Sequence, residues 1–111
     1  MTDEIDTADG ACGSEFPAPR EGAVVRHIPI INQKGLHARA SAKFVQTVER
    51  FRADVFVTRC GQTVGGDSIM GLMMLAAAPG TTIMVEAVGT DADAVIAALE
   101  ELIGNRFGED D

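Results

Sequence analysis

Asn32-Gln33-Lys34-Gly35-Leu36-His37-Ala38-Arg39 is where an extended segment of this chain gives way to a helix. Upstream, Ile28, Ile30 and Ile31 make an extended apolar run, and residues 32–35 carry the chemistry of a turn. Downstream, Phe44, Val45, Val48 and Phe51 recur at helical spacing, which predicts a helix over residues 38–50. His37 then stands at or just before the first helical turn, where backbone N–H groups have no partner within the helix. Those donors and the positive end of the helix dipole both favour negative charge. An imidazole, whose ordinary pKa is about 6.5, is largely neutral and nucleophilic near pH 7. Held at such a terminus it can attack a phosphoryl group, and the phosphate it acquires lands on waiting donors. Arg39, two residues on, adds a guanidinium fork for the same oxygens. A lone histidine in a small domain is more often surface decoration, which is the reading for His27. His37 differs because Arg39 and a helix start accompany it.

Working outward, residues 24–31 read as a first strand, with Pro29 suited to a sheet edge. Residues 54–59 form a second, with Val55 and Val57 on one face and Asp54, Phe56 and Thr58 on the other. Cys60-Gly61-Gln62 turns it into a short third strand ending at Gly65-Gly66, so the pair is expected as a hairpin. Asp67 or Ser68 caps a short second helix over residues 69–77, which Pro79-Gly80 stops. In a fourth strand over residues 81–88, Ile83, Val85 and Ala87 alternate with Thr82, Met84 and Glu86. The last helix carries Ala92, Val95, Ile96, Leu99, Leu102 and Ile103 on one face, with Thr90 or Asp91 at its start and Gly104 at its end. The order β-α-β-β-α-β-α predicts an α+β fold: a two-layer open-faced sandwich, with a four-stranded, mainly antiparallel sheet and three helices on one face. It occupies residues 23–107. A disordered acidic tail is expected over residues 1–22, where Pro17-Ala18-Pro19 resists regular structure, and a short acidic tail over residues 108–111.

The formal net charge of −8 belongs to these tails. Asp3, Glu4, Asp6, Asp9, Glu15 and Glu21 face only Arg20 in the first, and Glu109, Asp110 and Asp111 make the second; acids and bases balance between them. Within the domain, Lys34, Arg39, Lys43, Arg50 and Arg52 crowd the turn and first helix. A basic collar there suits an acidic partner protein, although Arg50 and Arg52 read first as a solvated helix face. The overall acidity and the absence of Trp and Tyr disfavour nucleic-acid binding. No apolar run approaches the roughly 20 residues that cross a bilayer, and no signal pattern opens the chain. Cys12 and Cys60 lack metal or redox spacing. A reduced, cytoplasmic protein without membrane, metal or cofactor is expected.

The second helix is apolar over more of its circumference than one buried stripe needs. Ile69, Met70, Leu72, Met73, Met74 and Leu75 cannot all face inward, so Met70 or Met73 is expected at the surface. Exposed Met suits docking, whereas the alternative is an ordinary core helix in a chain short of aromatics.

Gly35-Leu36-His37-Ala38-Arg39 and Asp67-Ser68-Ile69-Met70-Gly71-Leu72-Met73, in this order and separation, resemble the HPr family of histidine phosphocarriers of the phosphoenolpyruvate-dependent phosphotransferase system. The resemblance spans about residues 24–107. It implies that His37 is the phosphoacceptor, taking a phosphoryl group from phosphorylated enzyme I and passing it to an enzyme IIA-type protein, with Arg39 stabilising the phosphohistidine. It implies a regulatory phosphosite at Ser68, served by a serine kinase and phosphorylase in some lineages, and a docking surface for enzyme I at Ile69, Met70 and Met73. It implies a carrier rather than an enzyme, acting as a monomer. Two departures stand out: Ala40 where the family usually has Pro, and Ser41 where it often has a small apolar residue. Neither removes a phosphate ligand. The acidic C-terminus and the Met-rich second helix are similar to the nitrogen-related branch of the family.

Two other functions remain open at the level of sequence. One is a regulatory binding module of the same fold, controlled through Ser68 without an active relay. The other is a small-ligand-binding α+β domain without phosphotransfer, in which His37→Ala leaves function intact.

Overall fold

The computed structural model describes residues 16–109. Its elements run β1 (Val24–Pro29), α1 (Ala38–Val48), β2 (Asp54–Arg59), β3 (Gln62–Gly65), α2 (Ile69–Met74), β4 (Thr82–Val88) and α3 (Ala92–Gly104), and a 3-10 turn at Arg106–Gly108 follows. The sheet order is β1-β4-β2-β3. Every neighbouring pair is antiparallel, with registers such as Arg26↔Val85, Val57↔Val85 and Thr58↔Thr63. This is the expected open-faced sandwich, and Pro29 does lie on an edge strand. The backbone pairing outlasts β1, because Ile30 N–H donates to Thr81 O at 2.8 Å and Gly80 N–H to Ile30 O at 2.9 Å.

Alternation along the strands makes the core. Val55, Val57, Ile83, Val85 and Ala87 point inward and are buried. Against them pack Phe44, Val45 and Val48 of α1, Leu72 of α2, and Val95, Ile96, Leu99 and Ile103 of α3. The β2–β3 turn has two residues, Cys60 at φ 55° and Gly61 at φ 76°, the signature of a tight hairpin whose twist matches that of its strands. The hydroxyls of Thr58 and Thr63 meet across it at 2.7 Å.

Several local expectations are revised. Helix α1 ends at Val48 rather than residue 50 because the chain tightens there, with Arg50 N–H on Thr47 O and Phe51 N–H on Val48 O. Helix α2 ends at Met74 rather than residue 77, where Ala76 turns to φ 53°. Asp91 is the N-cap residue of α3 but leaves that helix uncapped, because its carboxylate accepts instead from Arg52 N–H at 2.8 Å. Cys60 is disulfide-bonded, against the expectation of reduced thiols; Cys12 lies outside the described residues.

Residues 16–22, expected within a disordered tail, make specific contacts on the sheet's outer face. Phe16 stacks on His27 with ring centroids 4.8 Å apart. The Arg20 guanidinium sits 3.7 Å above the Phe56 ring, and Arg20 N–H donates to Glu86 Oε2 at 2.7 Å. Glu86 is consequently buried although it lies on the outward side of β4. The remainder of the expected N-terminal tail, and Asp110-Asp111 at the other end, lie outside the described residues.

Candidate functional site

The turn before α1 is shaped by its glycine. Gly35 adopts φ +64°, and a Cβ there would come within 2.3 Å of Ala77 O. Leu36 N–H donates to that same carbonyl at 3.0 Å. The turn therefore lies directly on the segment that follows α2, with no room for a side chain. This close approach delivers His37 to the N-cap position of α1, in extended conformation at φ −78° and ψ −176°. Its carbonyl starts the helix by accepting Ser41 N–H at 2.8 Å.

Among the described residues no side chain caps the helix. The N–H groups of the first turn, on Ala38, Arg39 and Ala40, are left with the positive end of the dipole behind them. Around this start, Gln33, Lys34, His37, Ala38, Arg39, Lys43, Gly108 and Glu109 line one depression. Arg39 is exposed there, and Lys43 reaches across to donate to Phe107 O at 2.6 Å. Arg50 lies just past the end of α1, beside a separate depression shared with Lys43, Gln46 and Thr47. The basic side chains gathered at the site itself are thus Lys34, Arg39 and Lys43.

Two participants were not singled out in the sequence. Glu109 places Oε2 2.6 Å from His37 Nε2. Asn32, fully buried, donates through Nδ2 to Glu109 Oε1 at 3.1 Å and to Gly35 O at 2.8 Å. Asn32 had registered only as a turn former and Glu109 only as tail charge. Their sequence separations from their partners, 72 residues for Glu109 to His37 and 77 for Asn32 to Glu109, put the pairing beyond any local pattern. The one signal within reach was Phe107: a large apolar residue three positions past the helix-ending Gly104 is fully buried and pins the chain end beside the site.

Ser68 caps α2, its Oγ accepting Gly71 N–H at 2.9 Å. Of the apolar residues on α2, Leu72 is buried while Ile69, Met70, Met73 and Met74 are exposed, Met70 at 69% and Met74 at 63%. The surface expectation for Met70 and Met73 therefore holds, and Met74 joins them. Among the described residues no group of three or more His, Cys, Asp or Glu side chains could hold a metal ion, and no helix is long and apolar enough to cross a membrane.

The family model for the HPr component phosphorylation site of the phosphotransferase system matches residues 24–105. A phosphocarrier protein HPr of Neisseria meningitidis is 55% identical over 82 residues, covering 74% of this chain and 92% of its own length. The HPr of Cupriavidus necator is 50% identical over 84 residues, covering 76% and 94%. Among solved structures, an HPr of Thermoanaerobacter tengcongensis superposes with a TM-score of 0.75 at 39% identity, covering 78% of this chain and 98% of that one. The HPr of Bacillus anthracis gives 0.71 at 37% identity, covering 75% and 99%. With the fold, the two motifs and the helix start in place, the chain belongs to the HPr family of phosphocarrier proteins of the phosphotransferase system.

Proposed function

We propose that this phosphocarrier accepts a phosphoryl group on His37 from phosphorylated enzyme I and passes it to an enzyme IIA-type protein. The observation that carries the reading is the uncapped start of α1 at His37, with Arg39, Lys34 and Lys43 around it. A ring nitrogen of neutral His37 attacks phosphorus. The new N–P bond forms as the bond to the donor breaks, and the electron pair returns to the donor. The open N–H groups and the Arg39 guanidinium take up the phosphoryl oxygens. The second transfer reverses these roles. The HPr-like domain spans residues 23–107, with Glu109 just beyond it joining the site; it acts in the cytoplasm as a monomer, and each partner supplies the rest of the transfer site.

Exposed Ile69, Met70 and Met73 form the docking surface for the partners. Ser68, at the foot of that surface, is the regulatory phosphosite. A phosphate there adds close to two negative charges beside the docking patch, so Ser68→Asp slows acceptance from enzyme I. A module working through Ser68 alone is the second reading, favoured only by the position of this hydroxyl beside the exposed side chains.

The test is intact-protein mass after incubation with enzyme I, magnesium and phosphoenolpyruvate. One acid-labile phosphate is expected on the parent chain and none on His37→Ala. No phosphate on the folded parent, with a working enzyme I, would sink the relay.

A further inference from the structure

We propose that Glu109 is a positioning residue for phosphoryl transfer, holding the ring proton of His37 on Nε2 so that the other ring nitrogen, Nδ1, presents its lone pair. This rests on the relay through His37 just proposed. The contact between Glu109 Oε2 and His37 Nε2 is 2.6 Å. An ionised carboxylate only accepts hydrogen bonds, so the ring nitrogen facing it must donate. A neutral imidazole carries one N–H, which leaves Nδ1 as the nucleophile.

The carboxylate is itself held in place. Its other oxygen accepts from Asn32 Nδ2 at 3.1 Å, and Asn32 is fixed by burial and by its bond to Gly35 O. Two residues before it, Phe107 is fully buried and its carbonyl accepts from Lys43. Arg106, Phe107 and Gly108 all take positive φ, at 56°, 56° and 75°, and so reverse the chain back toward the site. The side chain of Glu109 keeps 13% of its surface exposed and that of His37 28%, so little water intervenes.

The charge balance gives this contact its kinetic meaning. When Nδ1 forms its bond to phosphorus, the ring still carries the Nε2 proton and gains positive character. A carboxylate at 2.6 Å from Nε2 interacts more strongly with that developing cation than with the neutral ring, and interactions that grow in the transition state raise the rate. Carboxylates play this part toward imidazoles in hydrolytic triads.

The experiment uses the full chain as parent, Glu109→Gln and Glu109→Ala. Glu109→Gln is nearly isosteric and keeps an acceptor for Asn32, so the fold is preserved; thermal unfolding followed by circular dichroism checks it. Proton and 15N NMR of the imidazole reads the contact directly. The parent is expected to show a downfield, slowly exchanging Nε2–H; in Glu109→Gln the oxygen kept on Asn32 turns the amide NH2 toward the ring and moves the ring proton to Nδ1, and in Glu109→Ala the signal is lost to exchange. Single-turnover acceptance from phosphorylated enzyme I is expected to fall about tenfold in Glu109→Gln, the scale of a lost orienting partner. A parent ring protonated on Nδ1, or unchanged acceptance in both variants, would overturn the proposal. Faster acceptance in Glu109→Gln would overturn it too, making the carboxylate a shield. If the parent takes no phosphate at all, the relay fails and the positioning role falls with it, while the Nε2–H resonance still reports the contact separately.

Discussion

Helices α1 and α2 begin in opposite ways. At the start of α2, the Ser68 hydroxyl accepts Gly71 N–H at 2.9 Å. At the start of α1, His37 occupies the corresponding position and its side chain accepts nothing from the first turn. A cap of the Ser68 kind contributes about 1 kcal/mol, so α1 forgoes that stabilisation. Its donors stay free for the phosphate that the proposed relay would place there. Stability and reactivity draw on the same few N–H groups, and a helix start can commit them to only one. The six-residue α2 uses them to hold itself together. Helix α1, with 11 residues and Phe44, Val45 and Val48 in the core, is anchored by packing and can leave its first turn free.

Four substitutions break or sharpen that contrast. The largest effect is expected for Phe107→Ala, which removes a fully buried ring and releases the chain end that brings Glu109 to the open start. It should cost about 3–5 kcal/mol in chemical denaturation. Gly35→Ala attacks the turn that delivers His37. A Cβ 2.3 Å from Ala77 O on a backbone at φ +64° should cost about 3 kcal/mol, and a loss below 1 kcal/mol would mean that the turn yields easily. Ser68→Ala opens the closed start and should lower stability by about 1 kcal/mol without touching acceptance chemistry at His37. His37→Ser closes the open start. It should abolish phosphoryl acceptance while raising the unfolding free energy by about 0.5 kcal/mol. A fall in stability instead would show that the tie from His37 to Glu109 outweighs a cap.

Much of this fold was legible because its periodicities are local. The inward set of β2 and β4, the two-residue hairpin at Cys60-Gly61 and the apolar face of α3 each announce themselves within a dozen residues. His37 and Arg39 were legible for a related reason, since a turn followed by a helix places them wherever the rest of the chain goes. Glu109, Asn32 and Arg20 were not. Each acts through contacts that cross most of the chain, such as Arg20 to Glu86 spanning 66 residues. Alternation along β4 sets Glu86 on the face opposite Ile83, Val85 and Ala87, yet it is buried there because a segment from outside the sandwich covers it. The tails drew attention as net charge, although particular residues within them bind particular places.

The Phe16 and Arg20 contacts separate two boundaries that are easily taken for one. The stretch shared with relatives begins at residue 24, but the stretch that folds as a body begins at least eight residues earlier, at the ring stacked on His27. A version that begins at residue 24 and keeps the C-terminus would retain the sheet, the helices, the turn that carries His37 and the chain end that holds Glu109 beside it. It would also return Glu86 to water and bare the Phe56 ring on a face that the parent presents covered. Such a shortened chain could still take phosphate from its donor while becoming stickier in solution, so solubility rather than turnover would betray the missing segment.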